Sequence, residues 1–108
     1  MTNLQMATTE YGRAVEAAVS AGADIPYDAG DALERALIAA VIAKSGGQIG
    51  TDVASDLVRV VYAVEVETGA RFTEDPRQAA RLDKLLEALV AIAVEDTTVG
   101  LAASRKSA

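Results

Sequence analysis

The sequence predicts an all-α protein: a four-helix bundle-like domain built from two αα-hairpins that associates as a homodimer. Three observations predict this class. Apolar residues recur at helical spacing in four stretches, glycine or proline separates the stretches, and aromatic residues are few. The core must then consist of Ala, Val, Leu and Ile, of which Ala and Leu favour helix intrinsically. One domain is expected over residues 1–96, followed by a flexible C-terminal tail over residues 97–108.

The first helix is expected to begin between Asn3 and Thr9 and to end near Ala21, because Gly22 follows. Gly12 inside this stretch weakens its helical propensity. The apolar residues at helical spacing form one face of this helix, which consists of Leu4, Tyr11, Val15, Ala18 and Val19.

The second helix follows a loop that contains Pro26, and Asp28 is its expected N-cap. Lys44 in the last turn and the glycines at 46 and 47 mark its end, as is usual for helix C-termini. Its predicted core face consists of Leu33, Leu37, Ile38, Val41 and Ile42.

The third helix is expected to begin at Thr51 and to end at Gly69. An alternative is a small β-hairpin over 62–73, because this stretch is rich in β-branched residues and Val64 to Glu67 alternates as a strand does. The helical interpretation is preferred because the helical period extends back to Val53. The apolar positions of this helix are Val53, Leu57, Val58, Val61 and Val64.

The fourth helix has the best-defined start: Asp75 as N-cap, Pro76 in the first helical position and Gln78 placed to complete a capping box. It is expected to end near Asp96. The composition of the following tail, which includes Arg105 and Lys106, also allows a docking peptide that orders on binding.

The third and fourth helices have wide apolar arcs. Between Leu57 and Val66 only two residues are charged, and between Leu85 and Val94 only Glu87 is. A surface helix exposes more polar area than this, so either the third helix is central or both helices contribute to a subunit interface. A bundle of this size has little room to surround one helix, which favours a C2 homodimer.

The net charge of −6 argues against binding nucleic acid or an anionic membrane surface, since both attract clustered Lys and Arg. No apolar stretch reaches the ~20 residues of a membrane span, and the N-terminus lacks the pattern of a secretory signal. A cytoplasmic location is expected by default.

Catalytic chemistry has few candidates, because the chain contains neither His nor Cys, the commonest general base and the commonest reactive nucleophile. The glycines after Lys44 stand in the wrong order for a phosphate-binding loop. The aspartates are expected to be first-turn helix acids, in the positions 28, 31, 52 and 56. We therefore predict no catalytic, cofactor-binding or metal-binding residue and no enzymatic activity.

The predicted function is protein–protein interaction, as an adaptor, scaffold or inhibitor whose partner is a second copy or a host or cellular protein. Small acidic helical proteins of phages and mobile elements are of the same general class, and this analogy rests on no motif. The alternative is a small-molecule or anionic-ligand binding protein, with a pocket between helices or at the dimer interface and arginines that converge on the ligand. The predicted interaction surface comprises Val58, Val61, Tyr62, Leu89, Tyr27, Arg71, Arg77 and Arg81.

Overall fold

The computed structural model describes residues 3–107, with side chains described for residues 3–95. Its regular elements are all helical, which confirms the predicted all-α class and bundle-like architecture for this part of the chain. The alternative β-hairpin over 62–73 is wrong, since helix continues to Thr68. The elements are α1 (Asn3–Ala21), α2 (Tyr27–Lys44), α3 (Thr51–Thr68), a 3-10 turn (Pro76–Gln78) and α4 (Ala79–Ser107).

The second helix, α2, is the central helix of the molecule. It contacts α1, α3 and α4, whereas α1 packs mainly against α2. Leu33, Leu37 and Val41 line its core side and are buried. The wide apolar arc of α3 had made it one candidate for the central position. The difference arises because α2 carries apolar residues on more than one side, with Ile38 and Ile42 packed against the core beside the buried row.

The hydrophobic core lies where α2, α3 and α4 meet. Residues four or three apart face it from each helix, as the helical period requires. Ile49 and Phe72, from the two connections, complete it. The contributions of α3 and α4 are Ala54, Val58, Val61, Leu82, Leu86 and Val90.

The first helix differs from its prediction at its C-terminal end. Ala18 is buried as expected, but Val19 is largely exposed, so the buried side of α1 is narrower than the apolar pattern indicates. Thr8 is buried instead, and its hydroxyl donates to the Gln5 carbonyl at 2.9 Å, which satisfies this polar group within the helix.

The start of α2 is also different. The helix begins at Tyr27 directly after Pro26, and no side chain caps it. Asp28 lies in the first turn rather than at the N-cap, where the helix dipole still favours a carboxylate. The N-cap prediction for Asp28 is therefore wrong.

At the connection between α3 and α4, the expected caps are present. Gly69 adopts a left-handed φ of 71° and its N–H donates to the Glu65 carbonyl at 2.9 Å, which ends α3. The Asp75 carboxylate accepts the Arg77 N–H at 3.0 Å, so Asp75 is an N-cap, but it caps the 3-10 turn Pro76–Gln78 and α4 itself begins at Ala79. Gln78 does not close the predicted capping box: its side chain donates to the Asp75 carboxylate at 3.5 Å.

The fourth helix continues to Ser107, past the predicted end near Asp96. No proline interrupts this stretch, but Thr97, Thr98, Val99 and Gly100 have low helical propensity, so propensity alone does not explain the extension. The side chains of Arg105 and Lys106, on which the docking-peptide alternative depends, lie outside the described residues. The assignment of 97–108 as a tail separate from the domain stays a prediction. Within the described residues, no helix is both long and apolar enough to cross a membrane.

Candidate interaction surface

The structure removes two residues from the predicted interaction surface. Val58 and Val61 are completely buried within a single chain, so they stabilise the core and offer no accessible surface. They share a row with Ala54 that faces the core. Because the neighbouring row of α3 is equally apolar, the sequence pattern did not distinguish the row that faces the core from the row beside it.

Tyr62 lies half-buried where α3 approaches α1 and α2. Its burial, followed by the nearby charge of Glu34, then Tyr11 and the charge of Glu65, raises its pKa to about 12. Burial also raises the pKa of Tyr11, with further contributions from the carboxylates of Glu74 and Glu65. Both phenols therefore stay protonated at neutral pH and act as packed polar groups.

The carboxylate of Glu65 holds the connection between α3 and α4 against α3. It accepts the Thr73 N–H at 3.1 Å and the Thr73 hydroxyl at 2.9 Å. Thr73 is buried, so this carboxylate satisfies two donors that water does not reach. Sequence reasoning missed the pair, because nothing local links residues eight positions apart when one of them lies in a loop.

The three predicted arginines all lie at the connection between α3 and α4 or at the start of α4, and each has a partner within the chain. Arg71 binds Glu74 at 2.7 Å, and Arg77 binds Asp75 at 3.0 Å. The side-chain and backbone hydrogen bonds from Arg77 lower the pKa of Asp75. The third arginine lies over a core aromatic ring, with the guanidinium carbon of Arg81 5.3 Å from the centroid of Phe72. They therefore do not converge on an open anion site.

The remaining predicted residues are separate from these arginines. Tyr27 is exposed at the first residue of α2, beside Pro26 and Ile25. Leu89 is half-buried midway along α4, next to the core. The structure therefore does not bring the eight predicted residues together into one surface, and it places only Leu89 on the apolar surface described next.

An apolar surface does exist beside the core, one row away from the buried residues. On α3 and α4, Val53, Val60 and Ile92 stay 41%, 39% and 64% exposed, respectively. The half-buried leucines and valine between them lie at positions three or four apart, so each helix carries a continuous stripe. We call this surface the α3–α4 face; it consists of Val53, Leu57, Val60, Val64, Leu85, Leu89 and Ile92.

The two stripes lie on the same side of the molecule. Tyr62 marks the side of α3 that approaches α1 and α2, and Val60 lies about 160° around the helix from it. Asp83 marks the side of α4 that approaches α2, because its carboxylate binds Lys44 at 2.5 Å. Ile92 lies about 180° around α4 from Asp83. Both stripes therefore point away from α2.

No protein-family model matches the chain, and neither a curated protein nor a solved structure does. Among the described residues, no group of three or more Asp, Glu, His or Cys side chains could hold a metal ion.

A groove lies between α1, α2 and the start of α4. It has a volume of about 660 Å³, and its floor is formed by alanines of α2 together with Leu4. The cations at its rim are paired: Arg35 binds Asp31 at 3.0 Å, and Lys44 binds Asp83. The groove is therefore mainly an apolar surface. Its alanines are Ala36, Ala39, Ala40 and Ala43.

Proposed function

We propose that the protein acts by binding another protein chain through the α3–α4 face, as an adaptor, scaffold or inhibitor rather than as an enzyme. One observation carries this proposal: Val53, Val60 and Ile92 remain 41%, 39% and 64% exposed beside a complete core. Removing apolar surface from water contributes roughly 25 cal/mol per Å². A partner that covers the face therefore forms a complex that apolar burial stabilises, without any change in the fold.

The proposal keeps the arrangement expected from the sequence, with two αα-hairpins in each chain, a homodimeric assembly and a cytoplasmic location. The connection 69–78 joins α3 directly to α4 and the two helices are in contact, which supports an antiparallel pair. Charged residues border the face: Glu67 and Asp56, which pairs with Arg59, on α3, and Lys84 and Glu95 on α4. These charges would set the orientation and association rate of the partner, while the apolar stripes supply the affinity.

The test uses two disruptive variants and one matched control. Val60→Asp and Ile92→Asp each place a carboxylate on the α3–α4 face. Val66→Asp makes the same change on α3 at a residue that is 85% exposed and about 120° to 180° around the helix from the members of the stripe. Circular dichroism first establishes that each variant is folded.

Each tagged variant is then incubated with extract of the source cells, and the recovered proteins are quantified against wild type. We expect wild type and Val66→Asp to recover the same stoichiometric partner, while Val60→Asp and Ile92→Asp lose at least tenfold. Equal recovery by all four proteins would remove the α3–α4 face as the binding surface.

A second candidate function is the binding of a small apolar molecule in the alanine-lined groove. Its volume of about 660 Å³ lies within the usual range of ligand sites. A ligand that binds only the folded chain raises the melting temperature by mass action. A panel of apolar compounds tested on wild type and Ala39→Trp, which fills the groove, decides this candidate. A shift in wild type that the variant lacks supports it, and no shift in wild type rejects it.

A further inference from the structure

We propose that a second, narrower groove at the start of α2 binds an arginine side chain of a basic partner protein. This site goes beyond the proposed function, because it is formed by the first turns of α2, whereas the α3–α4 face points away from α2. Either site can therefore fail without the other. Three features select this occupant: the apolar walls of the groove, its size and one carboxylate without an ion pair.

One side of the groove is a face of α2, and the other side is the loop before it. The loop contributes Ile25 and Pro26, and α1 contributes the ring of Tyr11, which lies beside Gly30. Gly30 has no side chain, so it leaves the middle of the groove open. The lining residues of α2 are three or four positions apart and share one face of the helix: Tyr27, Gly30, Asp31 and Glu34.

The loop side of the groove is apolar and open to solvent. Tyr27 is 83% exposed and Ile25 is 42% exposed. Neither belongs to the hydrophobic core, so the fold does not require them. Neighbouring apolar side chains of this size offer contact area to a partner, and tyrosine is enriched among the residues that dominate binding between proteins.

The size of the groove fits one side chain. Its volume is about 240 Å³, whereas sites for drug-sized molecules usually have volumes of about 300–1,000 Å³. A groove of this size accommodates a single long side chain that projects from a partner. The alanine-lined groove on the other side of Asp31 and Arg35 is the larger of the two.

The charge inside the groove favours a cation. Glu34 is half-buried, and it takes part in no ion pair or side-chain hydrogen bond within the described part of the chain. The neighbouring Asp31 is already bound by Arg35 at 3.0 Å. No cationic residue lines the groove. A positive group that enters it therefore meets an unpaired carboxylate in a partly desolvated place, where attraction is stronger than in open water.

The N-terminus of α2 does not cancel this attraction. The positive end of a helix dipole acts mainly within the first turn, and Asp28 lies in that turn. Glu34 lies seven residues beyond Tyr27, which is about 10 Å along the helix. The net charge of −6 also attracts a basic partner at longer range.

Arginine fits these surroundings better than lysine. Its planar guanidinium stacks on aromatic rings and is more weakly hydrated than an ammonium group, while its aliphatic stem covers apolar surface. The guanidinium would lie over Gly30, between the ring of Tyr11 and the carboxylate of Glu34. The stem and the adjoining backbone of the partner would contact Tyr27 and Ile25.

The first experiment uses three capped tripeptides as probes: tri-arginine, tri-lysine and tri-citrulline, which has the shape of arginine without its charge. Backbone amide chemical shifts of the full chain are followed during each titration. We expect saturable changes concentrated in residues 25–34 with tri-arginine, weaker binding of tri-lysine and no change with tri-citrulline. An absence of saturable changes with tri-arginine, or changes spread over the other acidic surfaces, would overturn the site. Equal binding of tri-lysine would overturn the choice of arginine.

The second experiment tests the carboxylate. Glu34→Gln should weaken tri-arginine binding about three- to fivefold, the upper range for a partly exposed ion pair. The matched control is Glu87→Gln, which removes the same charge at a carboxylate 3.9 Å from Lys44, ten residues or about 15 Å further along α2. This control should bind as wild type does. Equal weakening by both variants would show that the peptide responds only to net charge, which contradicts the groove.

The third experiment tests the aromatic wall. Tyr27→Ala should weaken tri-arginine binding about two- to fivefold, the range for a cation over an exposed ring. Tyr27→Phe keeps the ring and should bind as wild type does. Because Tyr27 is exposed, both variants should remain folded, which circular dichroism checks. Wild-type binding by Tyr27→Ala would remove the loop side from the site, and equal loss in both variants would contradict the contact with the ring.

Discussion

The α-carbon of Gly12 in α1 lies against the backbone carbonyl of Glu74 in the connection between α3 and α4. A Cβ atom at position 12 would overlap that carbonyl oxygen. The contact brings α1 close to the connection that precedes α4, and Glu65 and Thr73 secure the same connection from the side of α3. A glycine that weakens the helical propensity of α1 thus allows the two elements to approach.

Gly12→Ala should therefore destabilise the protein although alanine is the better helix former. Relieving the overlap requires a shift of backbone, and overpacking of this kind costs about 1–3 kcal/mol. This cost exceeds the gain of up to ~1 kcal/mol from helical propensity. Chemical denaturation monitored by circular dichroism measures the net change in the free energy of unfolding.

The matched control is Gly30→Ala in α2. A Cβ atom there would lie 4.0 Å from the Tyr11 ring, which is an ordinary van der Waals contact. The propensity gain should then dominate and stabilise the protein by about 0.5–1 kcal/mol. Equal effects of the two substitutions would show that the approach of α1 to Glu74 does not constrain position 12.

The pair of Glu65 and Thr73 should behave as one unit. Glu65→Ala leaves the buried Thr73 N–H and hydroxyl without an acceptor, which should cost about 1–3 kcal/mol in the free energy of unfolding. Thr73→Val removes the hydroxyl and leaves Glu65 one donor. In a double-mutant cycle, the combined loss should be smaller than the sum of the two single losses. Strict additivity would show that the carboxylate does not stabilise the connection.

Val60 and Val61 are adjacent in sequence and should respond in opposite ways. Val61 is completely buried, so Val61→Ala should lower the free energy of unfolding by about 1–3 kcal/mol. Its effect on association should be small, because it lies beneath the α3–α4 face. Val60→Ala should change stability less and association more. Paired denaturation and sedimentation measurements separate the two roles, and a reversed pattern would contradict the placement of the core row.

Tyr62 should make the fold sensitive to alkali. Its pKa in the folded chain is raised from 10.0 to about 12, chiefly by burial. A folded pKa above the unfolded value means that the stabilising contribution is complete below pH 10.0 and is lost as the pH rises through about 12. Tyr62→Phe has no phenol to ionise there, so its stability should fall less over that interval.

Two measurements check this expectation. The tyrosinate absorbance of wild type minus that of Tyr62→Phe isolates the titration of this one phenol. Thermal melts of both proteins over the same pH interval report the linked stability. A difference spectrum that titrates at the ordinary value of 10.0 would place the Tyr62 hydroxyl in water.

The helical class and most helix ends were predictable from the sequence because they depend on local interactions. Apolar spacing within one or two turns predicts a helix, and the left-handed conformation at Gly69 or the N-cap oxygen of Asp75 acts on neighbouring residues only. The errors at these ends concern Asp28 and Asp96. There, alternative local interactions differ by small free energies that the pattern does not resolve.

The sequence by itself thus determined that this chain forms helices and which residues of each helix are apolar. Only the tertiary structure decided that α2 is central, that the row with Val58 and Val61 is buried and that the row with Val53 and Val60 is exposed. The physical reason is that adjacent rows on a helix differ by a rotation of about 100°. Such a rotation changes no local interaction, and only the positions of the neighbouring helices determine which row is covered.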